Sequence, residues 1–436
     1  MFERIVPGLI AVVTLSLSSI AQAQQFDDRI NALSNEIESA VIEWRHDIHQ
    51  HPELSNREVR TAAKVEAHLK SLGFDEIYTG IAHTGVVGIL RGGKPGPMVA
   101  LRADMDALPV QEKTGLAFAS KAIGEYNGQQ VPVMHACGHD AHVAMLMGAA
   151  QVLASIKKDI PGSVKFVFQP AEEGPPAGEE GGASLMIKED VLTIGGKAEA
   201  IFGIHVWPGK SGDLIYRSGG FLAAADGFEI TITGSQTHGA VPWAGVDPIV
   251  VAAQIVNAIQ TIPSRQLDIT KAPSVLSVGT IHGGLRGNII PEEVNMTGTI
   301  RNFDSGIREQ LIEKLERTVI AIAESAGAKA TLTVDPYAPV TYNDPSLLKN
   351  MLPTLQRVGQ NGAMEGPLVT GAEDFAFFQK EIPGLYVALG VNMPGVGTTE
   401  AAPNHSPYFI VNDDALKTGV RAHSALALDY LTMKKQ

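Results

Sequence analysis

Gly227-Phe228-Glu229-Ile230-Thr231-Ile232-Thr233 alternates apolar and polar side chains, the two-residue period of a strand with one buried face. The residues that follow it decide the architecture. Asp247-Pro248 places a capping residue before a proline at the first helical position, and predicts a helix through about Ile262. Val275 to Ile281 and Val294 to Ile300 read as two further strands. Ile307, Leu311, Leu315 and Val319 recur at helical spacing, Gly327 stops that helix, and Ala330 to Val334 closes with a strand. The order β-α-β-β-α-β is that of a split, ferredoxin-like unit.

The chain on either side has a different texture. From Asp27, Ile30, Leu33, Ile37, Val41, Trp44 and Ile48 mark a helical face, and a second helix opens at Ser55 with Glu58 completing a capping box. It ends near Gly73. Short apolar runs follow at Gly85 to Leu90, Met98 to Ala103, Val164 to Phe168 and Ile201 to Val206, with a helix over about Ala141 to Lys157 between them. Leu385 to Leu389 is a strand and Asp413 opens a last helix. Apolar strands alternating with helices predict an α/β fold with a mainly parallel sheet. The expected organisation is one such domain in two parts, 24–218 and 337–436, interrupted by a smaller α+β domain at 219–336.

Composition is consistent with this and excludes several classes. The chain has 436 residues, 44% hydrophobic and 19% charged, with a net charge of −13. It is too long for one ordinary core and too apolar for disorder. The acidic balance argues against nucleic acid as partner. One cysteine, Cys137, excludes an internal disulfide framework. Arg4, the apolar run Ile5 to Leu17 and Ala21-Gln22-Ala23 form a secretory signal peptide, residues 1–23, with cleavage expected after Ala23. The run lacks a following cysteine for lipid attachment, so no stable membrane anchor is expected after cleavage. A periplasmic or secreted protein is expected.

His135-Ala136-Cys137-Gly138-His139-Asp140-Ala141-His142 is the densest chemical cluster. Thiolate and neutral imidazole are ligands for zinc-like divalent ions, and Gly138 lets the backbone turn so that its neighbours face one ion. His142 could instead belong to the following helix and His135 could support the ligands from behind. Glu172-Glu173 follows one apolar strand, Asp104 and Asp106 follow another, and His205 lies near the end of a third. Ligands of open parallel sheets bind beyond such strand ends. The set suggests metal-assisted hydrolysis, in which one glutamate of a tandem pair holds metal while its neighbour moves the proton of water.

These residues, in order, resemble the co-catalytic metallopeptidase superfamily of aminoacylases, carboxypeptidases and dipeptidases. Within it they resemble the amidohydrolase branch that contains hippurate hydrolase and plant auxin-conjugate hydrolases. The matching stretches are His51 to Ser55, Leu101 to Pro109, His135 to His142, Gln169 to Glu173, Gly203 to Pro208, Gly287 to Pro291, Gly371 to Phe375 and Asn404 to Ser406. The resemblance implies a metal-binding catalytic domain with an inserted lid and dimerisation domain. It implies two divalent ions per subunit (manganese, zinc, cobalt or nickel) on Cys137, His139, Glu173, His205 and His405. Glu172 becomes the general base and Asp106 an orienting carboxylate. Asp104 stands where the wider superfamily has a metal-binding His, and His139 where it has a bridging Asp. His238, Asn288 and Arg301 match positions that meet the substrate carboxylate and the reacting carbonyl, His238 acting across a homodimer. Taken alone, Arg301 reads as a surface salt bridge.

The implied activity is cleavage of N-acyl amino acids. A dipeptidase or carboxypeptidase on the same fold is the close alternative, and a non-catalytic periplasmic binding protein a remote one.

Overall fold

The computed structural model describes residues 26–434, so the expected signal peptide, 1–23, lies outside the described residues. The described chain divides into two compact units. The first holds the described residues up to Tyr216 together with Asp344–Gly366 and those from Phe378 onward; the second holds Arg217–Asn343 and Pro367–Phe377.

The first unit is built on an eight-stranded sheet. Its strands run in the order Glu76–Ile81, Gly85–Arg91, Pro161–Gln169, Lys94–Asp104, Ile201–Trp207, Gly384–Gly390, Leu214–Tyr216 and Ala363–Glu365. Pro161–Gln169, Lys94–Asp104, Ile201–Trp207 and Gly384–Gly390 are mutually parallel. Their middles are buried without interruption, which is why the sequence shows them as solid apolar runs rather than alternating ones. The helices His139–Ser155 and Leu416–Lys434 pack together and against these strands. The first of them is buried on nearly every side, and its sequence is accordingly apolar all round. Among the described residues, no helix is long and apolar enough to cross a membrane.

The second unit has a four-stranded antiparallel sheet in the order Ser274–Gly283, Glu293–Asn302, Ala224–Thr233, Lys329–Ala338. The helices Pro248–Ile259 and Ser305–Ser325 bury Val251, Ile255, Leu311, Leu315 and Val319 in one core with Ile230, Ile232 and Met296. Asp247 caps the first helix by accepting from the amides of Ile249 and Val250. This is the ferredoxin-like order expected. The compact unit is larger than the expected insert, 219–336, because Ala223 donates to the carbonyls of Val369 and Gly371 and Leu222 bridges to Val369. Those backbone bonds draw Pro367–Phe377 out of the span expected to lie in the catalytic part.

One expected element is built differently. The helix predicted to open at Ser55 runs Val59–Ser71. Its first amides are capped by Glu53, which accepts from the backbone of Arg60 and Thr61 at 2.8 Å each. Ser55 is not a cap because its hydroxyl donates to Asp106 at 2.8 Å.

Candidate metal centre

Three adjacent parallel strands carry polar groups to their carboxyl ends. Lys94–Asp104 ends on Asp104, which lies in register with Gln169. Pro161–Gln169 runs on into Pro170-Ala171-Glu172-Glu173, and Ile201–Trp207 contributes His205. Cys137 and His139 flank Gly138, the residue before the helix His139–Ser155. Gly138 has φ of 92°, and a Cβ there would lie 2.3 Å from Val206 Cγ2. Only glycine satisfies both conditions, and the turn it makes sends the thiol and the imidazole to the same place. His405 reaches the cluster from a loop, its amide donating to the Ala136 carbonyl at 2.8 Å.

Cys137 Sγ lies 3.4 Å from His205 Nε2. The other ring nitrogen of His205 bonds the Val206 carbonyl at 2.8 Å, so it carries the proton and the Nε2 lone pair faces the sulfur. His139 Nδ1 meets Asp106 at 3.2 Å. Its Nε2 is buried with no hydrogen-bond partner, 3.8 Å from both Asp104 Oδ2 and Glu172 Oε2. His405 Nε2 and Glu173 Oε1 are 3.0 Å apart. Within the first unit, four donor sets result among the described residues: Cys137, His139 and His205; Cys137, Glu173 and His405; His139, Glu172 and Glu173; and Asp104, His139 and His142. In each, the donor atoms lie within 4.8 Å of one another. Cys137 and Glu173 each belong to two of them and His139 to three.

The electrostatics ask for a cation. Burial, then the charges of Glu173, Glu172 and Asp104, push the Cys137 thiol well above its ordinary range. Burial holds His205 neutral by pushing it well below its own. A buried thiol among carboxylates becomes a thiolate only where positive charge shares the site. The orphaned His139 Nε2, the oriented lone pair of His205, the thiol and the carboxylates therefore fit a divalent transition-metal ion.

Behind these groups lies a layer of hydrogen bonds that was only partly legible in the sequence. Asp106 accepts from Ser55 Oγ and from the backbone amides of Glu172 and Glu173 at 3.1 and 3.0 Å. Burial would raise its pKa, but His139 and these donors hold it below the usual carboxylate range. Asp104 is occupied by Arg102 at 2.6 Å and His142 at 2.5 Å. His142 Nε2 accepts from the Val206 amide at 2.8 Å, so both of its nitrogens are used and it braces Asp104 rather than offering a free donor atom. Glu58, completely buried, accepts from Ala171, Asn56 and Thr84, and so holds the turn before Glu172, where Ala171 has a φ of 52°. Burial, then the Asp106 charge, push Glu58 up to about 8. The roles of Glu58 and Arg102 were missed. A charged residue inside the apolar run Met98 to Ala103 was the available sign for Arg102. His135 is buried without a partner for either nitrogen and joins none of the donor sets among the described residues.

The remaining expected site residues belong to the second unit. His238 pairs across a two-stranded ribbon with Ile289, and the Gly239 amide donates to the Asn288 carbonyl at 2.8 Å. His238 Nδ1 accepts from the Ala240 amide at 3.0 Å, which leaves Nε2 as a proton donor on an exposed ring. Arg301 donates to Thr299 Oγ1 at 2.6 Å and to the Ile300 carbonyl at 3.1 Å. Among the described residues it makes no salt bridge, contrary to what the residue alone suggested.

The chain resembles known proteins over most of its length. The sequence profile of peptidase family M20/M25/M40 matches residues 100–429. A thermostable carboxypeptidase of Saccharolobus solfataricus is 40% identical over 409 residues, covering 92% of this chain and 99% of that protein. N-acetylcysteine deacetylase of Bacillus subtilis is 35% identical over 389 residues, covering 89% and 96%. Among solved structures, the Bacillus subtilis YXEP protein, a dinuclear metal-binding peptidase of the M20 family, superposes with a TM-score of 0.77. It is 33% identical and covers 91% of this chain and 99% of its own.

Proposed function

The chain belongs to peptidase family M20/M25/M40 and is a metal-dependent hydrolase, and from that premise we propose that it cleaves the amide bond of N-acyl amino acids. The products are a carboxylic acid and a free amino acid. The observation that carries this reading is the overlap of donor sets on Cys137, His139 and Glu173 beside Glu172. Cys137, His139, Glu173, His205 and His405 would hold two divalent ions, of manganese, zinc, cobalt or nickel. When bound, such ions polarise a carbonyl and acidify water. Glu172 takes the proton of the attacking water and returns it to the leaving nitrogen. Asp106 keeps both glutamates and His139 in place. The Nε2 proton of His238, supplied by the second subunit, steadies the tetrahedral oxyanion. Arg301 and Asn288 receive the amino-acid carboxylate, the guanidinium through parallel donors.

The homodimer forms through the second unit. Exposed apolar side chains on its edge strand and first helix, Val275, Ile281, Ile249 and Val250, support this reading. The leader 1–23 directs the protein to the periplasm or the medium. A carboxypeptidase or dipeptidase activity is the second reading, favoured by the 40% identity to a carboxypeptidase.

The test is a panel of N-acyl amino acids and unblocked dipeptides, assayed before and after chelation. Turnover of the N-acyl series, lost on chelation and restored by a divalent ion, is expected. Preference for unblocked dipeptides would establish the second reading, and indifference to chelation would overturn the metal mechanism.

A further inference from the structure

The stretch Ser55 to Glu58, just before the helix Val59–Ser71, holds the segment that carries Glu172 and Glu173. Glu58 Oε1 accepts from the Ala171 amide at 2.9 Å, immediately before that pair. The same oxygen accepts from the Asn56 amide at 3.1 Å, and Oε2 accepts from the Thr84 hydroxyl at 2.6 Å. Beyond the pair, Asn56 Nδ2 donates to Glu179 Oε2 at 3.1 Å and to the Glu180 carbonyl at 3.0 Å. Arg57 meets the same Glu179 at 2.6 Å on the surface. Ser55 reaches the middle of the segment through Asp106, which accepts from the amides of Glu172 and Glu173. The two glutamates are therefore held before, at and after their own positions from one place. A Cβ on Gly181 would lie 2.8 Å from Asn56 Oδ1 and 3.1 Å from Ala171 Cβ, so the returning chain lies against both anchors.

Two features set this stretch apart from ordinary packing. Asn56 and Ala171 have φ of 61° and 52°. Asparagine tolerates that region, but alanine is strained there and persists only where its surroundings hold it. One oxygen of Glu58 bonds the amides of both. Glu58 is also completely buried, and among the described residues it makes no ion pair. A buried carboxylate without a cation is costly, and an apolar side chain would serve packing alone better.

We propose that Asn56 and Glu58 are positioning residues: they fix the strained turn at Ala171 and the return at Glu179-Glu180, and so aim Glu172 at water and Glu173 at metal. Neither belongs to a donor set among the described residues. The proposal rests on the reading of Glu172 as base and Glu173 as metal ligand, whatever the acyl group.

The experiment compares the full-length wild type with Asn56→Gly, Glu58→Ala and Glu58→Gln. Glycine removes the Asn56 side chain and keeps its left-handed backbone without strain. Glutamine keeps the oxygen that serves both amides, and the Thr84 hydroxyl can turn to accept from the new amide. Zinc affinity is read with no substrate present, by competition with a chromophoric chelator. The constants kcat and KM are read on an N-acyl amino acid at saturating divalent ion. Asn56→Gly and Glu58→Ala should each lose about tenfold or more in zinc affinity and in kcat, with KM within about twofold of wild type. Glu58→Gln should stay within about threefold of wild type in both. Wild-type zinc affinity and kcat in folded Asn56→Gly would overturn the proposal. So would a loss confined to KM or to melting temperature, or a Glu58→Gln as impaired as Glu58→Ala. Should Glu58→Ala fail to fold, Asn56→Gly and Glu58→Gln decide. Should the wild type cleave no N-acyl amino acid, that reading falls, and zinc affinity decides the positioning role alone: weakened in Asn56→Gly it stands, unchanged it falls.

Discussion

Glu172 is a buried carboxylate whose backbone amide is pinned by Asp106 and whose Oε2 lies 3.8 Å from the orphaned nitrogen of His139. Its proposed work is to gain and lose one proton. Glutamine keeps the shape of the side chain and cannot do that. Glu172→Gln should therefore lower kcat by about a hundredfold or more, with metal content by elemental analysis unchanged. Activity close to wild type would remove Glu172 from the role of base. At this scale the sequence showed which residue types converge, since thiol, imidazoles and carboxylates stand at three strand ends. It did not show which nitrogen is free. His139 and His142 look alike in the sequence. Only the amide of Val206, bonded to His142 Nε2, separates a brace from a residue with an open donor atom.

The helix Glu38–Gln50 shows how an element supports the site from outside it. Arg45 and His49, one turn apart, are both buried and both bond Asp140, the residue after His139. His49 also meets Glu112 at 3.2 Å, and so ties this helix to the loop around Glu112. Burial alone would depress His49, but Asp140 and Glu112 outweigh it and lift its pKa from 6.5 to about 9. Because the folded value lies above the unfolded one, the stabilisation is fully present below the unfolded value and is lost as pH rises through about 9. The stability gap between wild type and His49→Gln, from urea unfolding, should shrink by up to about 3 kcal/mol between about pH 6 and about pH 10. A gap that stays constant would mean that His49 folds uncharged. The helical period of this segment was plain, but it was traced through aliphatic and aromatic residues. A buried arginine and histidine on the same helix are invisible to a pattern that counts only hydrophobic positions.

At the scale of the whole molecule, the described residues form two compact units made from one interrupted chain. The proposed mechanism needs Glu172 from one subunit and His238 from another. Glu172→Gln and His238→Ala should each be nearly inactive. Mixed under conditions that allow exchange, they should recover activity at about a quarter of the sites, since half the dimers are mixed and each has one complete site. No recovery, once exchange is verified by mass labelling, would place both residues in the same subunit's site. The sequence by itself determined the kinds of layer, because period-two alternation and solid apolar runs report directly which faces are buried. It also showed that thiol, imidazole and carboxylate side chains converge at the strand ends, because donor chemistry is a property of residue type. The tertiary structure alone decided where the second unit ends, since backbone bonds from Ala223 capture Pro367–Phe377 from far along the chain. It alone decided that Ser55 serves Asp106 instead of a helix end, and that Arg102 and Glu58 brace the centre. Those bonds join residues distant in sequence, so no local period or spacing encodes them.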